Sequence, residues 1–309
     1  MNVMKRIVLA AGLSAAASAT LAQTVNPAQA ALLRWYPASN SQALVSVTNS
    51  LGIGFDGADV WVTSMSGNSI VKIRAADSVV LGTYPTGGFP TAVAFDGANM
   101  WVTNQSSNTV SKIRASDGAL QGTYATGSAP SGIAYDGAYV WTANYYAATV
   151  SKIRVVGGAL AGTYPVGANP LSVAFDGTCI WVANSGASTV SRLNAATGAT
   201  IGTYSVANAT GVAFDGSNIW VVGGNLARRL RASDGALLGT TTVGNGAYTA
   251  AFDGTYIWTA NGTDKTVSKI VAATGVLVGS YPVVGNGPNY LAFDGANIWA
   301  TVGTGAAKL

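Results

Sequence analysis

The sequence predicts an all-β fold: a seven-bladed β-propeller of four-stranded antiparallel blades, closed three-plus-one by the N-terminal strand. Three observations predict it. A phrase clearest at Phe95-Asp96-Gly97-Ala98-Asn99-Met100-Trp101 returns with its Asp at 56, 96, 136, 176, 215, 253 and 294, at steps of 38 to 41 residues. Each copy carries a Trp a little further on, at 61, 101, 141, 181, 220, 258 and 299. The last copy stops before a fourth strand, and a match to that strand stands near the N-terminus. Self-similarity at this period marks a repeat architecture, and about forty residues make one propeller blade.

Within one copy the elements follow in order. Val93-Ala94-Phe95 is a short apolar strand. Residues 96–99 form a turn in which Asp96 bonds its own backbone and Gly97 accepts a positive φ. Met100-Trp101-Val102-Thr103, aromatic and β-branched, makes the second strand, and residues 104–108 form a loop. Residues 109–114 are the third strand, Ser116-Asp117-Gly118 a second Asp-Gly turn, and residues 119–124 the fourth strand. The residue two before each turn Asp is small (Gly54, Ala94, Ala134, Ala174, Ala213, Ala251, Ala292), as crowded innermost strands require. The Trp column fills the space between blades, and a residue needed in every blade is structural.

The last copy, residues 293–309, ends in its third strand. Its fourth strand is expected from Ala31-Leu32-Leu33-Arg34-Trp35-Tyr36-Pro37, which matches Ala159-Leu160-Ala161-Gly162-Thr163-Tyr164-Pro165. The chain ends then complete one blade together and leave no open edge there, with residues 38–50 as an insertion.

Ahead of the repeats, Lys5 and Arg6 precede an apolar, small-residue run over residues 7–19. This reads as a signal peptide over residues 1–22, cut after Ala22, with Ala30 as second choice. Residues 23–309 are then a single propeller, periplasmic or secreted. No other stretch is long and apolar enough to span a bilayer. The formal charge is +4, from 16 basic and 12 acidic residues. Half of that excess is Lys5 and Arg6, so nucleic acid is not an expected partner. Cys179 is the single cysteine, so no intramolecular disulfide forms.

Trp101-Val102-Thr103-Asn104, residues 108–113 (Asn-Thr-Val-Ser-Lys-Ile) and residues 162–167 (Gly-Thr-Tyr-Pro-Val-Gly) resemble the YVTN-type β-propeller repeats, relatives of NHL-like repeats. The resemblance covers nearly the whole of residues 23–309. It implies a secreted or envelope repeat protein. A more distant resemblance is to the streptogramin B lyase propellers, which open a cyclic peptide lactone with a His base and Mg²⁺.

The chain has no His and no Glu. A Ser-His-Asp arrangement and a His-based zinc site are therefore excluded, and a lyase would lack its base. Ten of the twelve Asp fall in the two Asp-Gly turn columns or their equivalents, which leaves Asp59 and Asp264. No cofactor and no metal are expected. Lys72, Lys112, Lys152, Arg192, Arg229, Lys269 and Lys308 recur along the third strands. They are expected to form a solvated face whose stems cover apolar neighbours.

In a meander, the second-to-third loops and the blade-to-blade loops share one face. That face is nearly uncharged and varies between copies. Tyr145 and Tyr146 stand where sister copies have Gln105-Ser106 and Ser185-Gly186. Tyr145, Tyr146, Asp264, Phe89 and Asn261 are the ligand-binding candidates, with Asp264 as polar anchor and no catalytic residue named. The expected role is a monomeric, non-enzymatic binding or interaction platform for an envelope or extracellular protein, peptide or glycan. The alternatives are a lyase or hydrolase acting on a glycan or cyclic peptide, and a structural envelope component.

Overall fold

The computed structural model describes residues 43–309, and among these residues there is no helix. The repeated phrase becomes a repeated sheet. In the second blade, β5 (Pro90–Phe95), β6 (Asn99–Asn104), β7 (Thr109–Arg114) and β8 (Leu120–Ala125) pair antiparallel in chain order. β9 to β12 (residues 130–165) and β13 to β16 (residues 170–205) repeat the pattern.

Where loops shorten, blades fuse into longer strands. β17 (Gly211–Phe214) pairs with β18 (Asn218–Arg231), which supplies both middle strands of the fifth blade. The Arg229 guanidinium lies 5.9 Å over the Trp220 ring, although a strand of that length drawn straight would part them by about 30 Å. β18 therefore doubles back. β19 (Leu237–Phe252) leaves the fifth blade as its outer strand and enters the sixth as its inner one, beside β20 (Tyr256–Asn261). β21 (Thr266–Val271) and β22 (Leu277–Pro282) complete that blade.

β1 (Leu44–Phe55) joins the two ends. Leu44, Val45 and Ser46 lie opposite Ala307, Ala306 and Gly305 of β25 (Gly303–Lys308). Ser50 lies between Gly303 of β25 and Ser64 of β2 (Asp59–Ser64), and Ile53 to Phe55 pair with β2. The first half of β1 is thus the fourth strand of the last blade, outside β23 (Leu291–Phe293), β24 (Ile298–Thr301) and β25; its second half opens the first blade, continued by β3 (Ser69–Arg74) and β4 (Val80–Pro85). The inner strands touch in series, β1, β5, β9, β13, β17, β19, β23 and back to β1. Residues 31–37, assigned this closing role from sequence, lie outside the described residues, as does the expected signal peptide. The edge of β25 assigned to residues 31–37 is taken by residues 44–46, because alternating Val45 and Val47 carry buried side chains into the last blade's core.

Two side-chain networks repeat with the blades. Asp96 Oδ1 accepts from the Ala98 and Asn99 amides at 2.9 and 2.7 Å, and Oδ2 accepts from Trp101 Nε1 at 2.7 Å. The same carboxylate-to-indole bond occurs in all seven copies. One residue thus makes the turn and fixes the ring behind it. The Trp rings are almost wholly buried, and truncating one costs about 3–5 kcal/mol.

The second network corrects an expectation. Lys72 and Lys152 are only 8% and 4% exposed, so the basic column is not a solvated face. Six of the seven, Lys72, Lys112, Lys152, Arg192, Arg229 and Lys308, cross their own Trp and reach the next blade's backbone. Lys72 Nζ lies 5.2 Å from the Trp61 ring centre and donates to the Ala115 carbonyl at 2.7 Å. Lys112 reaches Val155, Lys152 reaches Ala195, Arg192 reaches Ser233 and Arg229 reaches Ala272 in the same way. The column clasps neighbouring blades, and a long stem with a donor at its tip is what that span requires.

Candidate functional site

On the loop face the scaffold repeats its backbone while the side chains diverge. Seven residues before each turn Asp the backbone is left-handed: Asn49, Phe89, Ala129, Asn169, Asn208, Gly246 and Gly287 have φ of 48, 55, 55, 50, 57, 72 and 103°. Asn and Gly accept this conformation at little cost, whereas a bulky residue there is strained. Ala129 and Phe89 depart from Asn and Gly, and Phe89 is the one bulky side chain in the column. Its amide donates to Asn68 Oδ1 at 2.9 Å and its carbonyl accepts from the Gln105 amide at 2.9 Å, so the surroundings hold it in place. Its ring stays 41% exposed.

Phe89 and Tyr146, itself 75% exposed, line an open groove of about 370 Å³ between loops of the second and third blades. Gln105, Ser106, Asn108, Ser128 and Ala129 complete the lining. The Tyr145 ring meets Tyr146 edge-on, centres 5.2 Å apart. The structure thus brings Phe89 and Tyr146 to one groove, with Tyr145 behind it.

Tyr145 also bears on a second aromatic pair. The rings of Tyr248 and Tyr290 meet edge-on with centres 5.7 Å apart. Burial pushes the Tyr290 hydroxyl well above the ordinary phenol range, reinforced by Tyr248. Burial also raises Tyr248; the Tyr290 hydroxyl opposes this and Tyr145 adds to it. Tyr248 and Tyr290 are therefore both neutral at physiological pH. Sequence reasoning missed Tyr248 and Tyr290, yet a signal was present. Tyr248 stands where other copies have Leu51, Thr91, Ser131, Leu171, Thr210 and Asn289; Tyr290 stands in a column of Gly52, Ala92, Gly132, Ser172, Gly211 and Thr249. That column is small because a Cβ at Gly52 or Gly132 would meet the next inner strand's carbonyl oxygen.

The other two candidates fall elsewhere. Asp264, in the sixth blade, accepts from the Asn245 amide at 2.8 Å and from Asn245 Nδ2 at 3.2 Å; it does not line the groove. Asn261 is fully buried. Its Nδ2 donates to Thr266 Oγ1 and Ser268 Oγ at 3.1 and 2.8 Å, as Asn104, Asn144 and Asn184 do in their own blades. Asn261 is therefore corrected from surface candidate to scaffold: the residue ends a second strand and braces the third. Among the described residues no three His, Cys, Asp or Glu side chains gather where they could hold a metal.

The face as built can stack on and hydrogen-bond to a ligand, with no acid–base pair poised in the groove. Comparison with solved structures finds the same architecture. Hydrazine synthase from Kuenenia stuttgartiensis superposes with a TM-score of 0.76 at 18% identity, over 86% of this chain and 97% of that one. A streptogramin B lyase gives 0.75 at 16% identity, over 86% and 95%. A catalytically inactive His-to-Ala virginiamycin B lyase from Staphylococcus aureus, with quinupristin, gives 0.74 at 17% identity, over 86% and 97%. At these identities the likeness establishes the β-propeller fold. No family model and no curated protein matches the chain.

Proposed function

We propose that this protein is an exported, non-enzymatic binding platform that holds its ligand on the neutral loop face, at Phe89, Tyr146 and Tyr145. The observation that carries this reading is Phe89. A large aromatic is kept in a left-handed backbone site that sister copies give to Asn, Gly or, at Ala129, a single methyl, and strain of this kind collects at functional positions. Its ring is exposed beside Tyr146 in a groove rather than packed into the core. Export rests on the basic and apolar N-terminal run. Trp101-Val102-Thr103-Asn104 and its sister phrases favour grouping with YVTN-type repeats.

A lyase reading is the alternative that the fold invites. The virginiamycin B lyase described with quinupristin is catalytically inactive when one His is replaced by Ala, and this chain has no His at all. The groove side chains are hydroxyls, amides and phenols, none suited to take a proton near neutral pH.

The test has two arms. Protein with Tyr145→Ala and Tyr146→Ala is compared with the parent in capture from solubilised envelope extract, and the parent is incubated with quinupristin. A component retained by the parent and lost by the variant supports the platform. Identical retention by both removes the loop-face assignment, and chromatographic appearance of opened lactone overturns the non-enzymatic reading.

A further inference from the structure

Resting on that reading of the loop face, we infer that the ligand of the Phe89–Tyr146 groove is a neutral saccharide chain. Four features of the groove select this class.

The lining is uncharged. No Lys, Arg or Asp lines the groove, so an ionised group entering it would shed water without gaining a partner. Anionic polymers and basic peptides are disfavoured on that ground.

The side chains between the rings can give and take protons in hydrogen bonds. Gln105, Ser106 and Ser128 make no side-chain hydrogen bond among the described residues. Hydroxyls and amides each donate and accept, which matches a sugar hydroxyl that does the same. A pyranose presents a C–H face to an aromatic ring and hydroxyls around its edge; the groove offers both surfaces side by side.

The backbone around the groove is closed to a peptide strand. The Gln105 and Ser106 amides donate to the Phe89 and Gly88 carbonyls, and those of Tyr145 and Tyr146 to Ala129 and Ser128. The Phe89 and Ala129 amides are taken by the side chains of Asn68 and Asn108. Strand addition depends on a row of unpaired main-chain groups, and these eight residues do not offer one.

The groove is open rather than enclosed, and about 370 Å³ is near the lower end for sites that engulf a small molecule. A segment of a longer chain, wet on one side, fits it better than a buried ligand. Tyr145, edge-on to Tyr146 with ring centres 5.2 Å apart, then offers the next ring surface.

The experiment is a titration of the full chain with cellohexaose, chitohexaose, mannohexaose and maltohexaose, with hexagalacturonate as the charged control. An immobilised library of uncharged dodecapeptides is run in parallel. Two variants accompany it, Phe89→Asn and Tyr146→Ser, which restore residues that sister copies carry at Asn169 and Ser106 and so preserve the fold. The expected result is saturable binding of at least one neutral hexasaccharide, weakened more than tenfold by either variant, with hexagalacturonate at least tenfold weaker. Saccharide binding untouched by both variants overturns the inference. Peptides bound in a Tyr146-dependent way, with no saccharide bound, overturn it while the platform reading stands. Nothing bound by the parent overturns both.

Discussion

Lys308 Nζ donates to the carbonyl oxygen of Ala75 at 2.6 Å, tying the last third strand to the end of the first blade's third strand. It is the clasp seen at Lys72, Lys112 and Lys152, here made between the two ends of the chain. The Lys308 ammonium also stands 5.5 Å from the Trp299 ring centre. Replacing Lys308 by Met keeps the stem and strands the Ala75 carbonyl, a loss of about 1–3 kcal/mol. Arg74→Met breaks only an exposed ion pair with Asp77 and is expected to stay within about 0.5 kcal/mol. Urea unfolding measures both, and equal effects from the two variants would remove the clasp.

Much of the scaffold was legible because it repeats: the Asp and Trp columns announce the turn, the second strand and the count of blades. The indole-to-carboxylate bond joining those columns was not, since spacing along the chain does not say that a ring folds back over its turn. The clasp was misread for a related reason. Lys at a strand position looks solvated until the next blade's carbonyl is placed beside it. Residues 31–37 matched a fourth strand through Leu and Tyr-Pro, whereas residues 44–49 close the blade through alternation and register.

That correction predicts a clear contrast. Val47 is 3% exposed and packs with Ile73, Trp299 and Ala306. Val47→Asp therefore buries a carboxylate in an apolar cluster and is expected to cost about 3 kcal/mol or more. Ser46 is exposed on the same strand, and Ser46→Asp is expected to change little. If Val47→Asp melts with the parent, residues 44–49 are not the closing strand.

Phe89 offers a test of strain apart from contact. Phe89→Ala removes the ring and leaves an L side chain at φ 55°. Phe89→Gly removes the ring and the strain together. Left-handed backbone disfavours a Cβ by about 1–2 kcal/mol, partly offset by the extra freedom glycine gives the unfolded chain. The Gly variant should be the more stable by about 0.5–1 kcal/mol, the reverse of the usual order in a strand. An Ala variant more stable than Gly would mean that Phe89 is not strained, and the argument from its outlier geometry would fall.

Tyr290 links the site to the pH dependence of the fold. Its hydroxyl is held well above the ordinary phenol value by burial, with Tyr248 adding to the shift. A folded value above the unfolded one means that the group favours the fold fully below about pH 10. The contribution disappears as pH climbs from there through the raised value, because the unfolded chain releases the proton first. Tyr290→Phe cannot ionise. It is expected to be less stable than the parent at pH 7, having lost the hydroxyl beside Tyr248, and to lose less than the parent between pH 7 and pH 11. Stability curves of the two proteins should therefore converge on the alkaline side, read by denaturant midpoints at each pH. Parallel curves would show that the Tyr290 hydroxyl titrates alike in folded and unfolded chains, and its buried pairing with Tyr248 would be refuted.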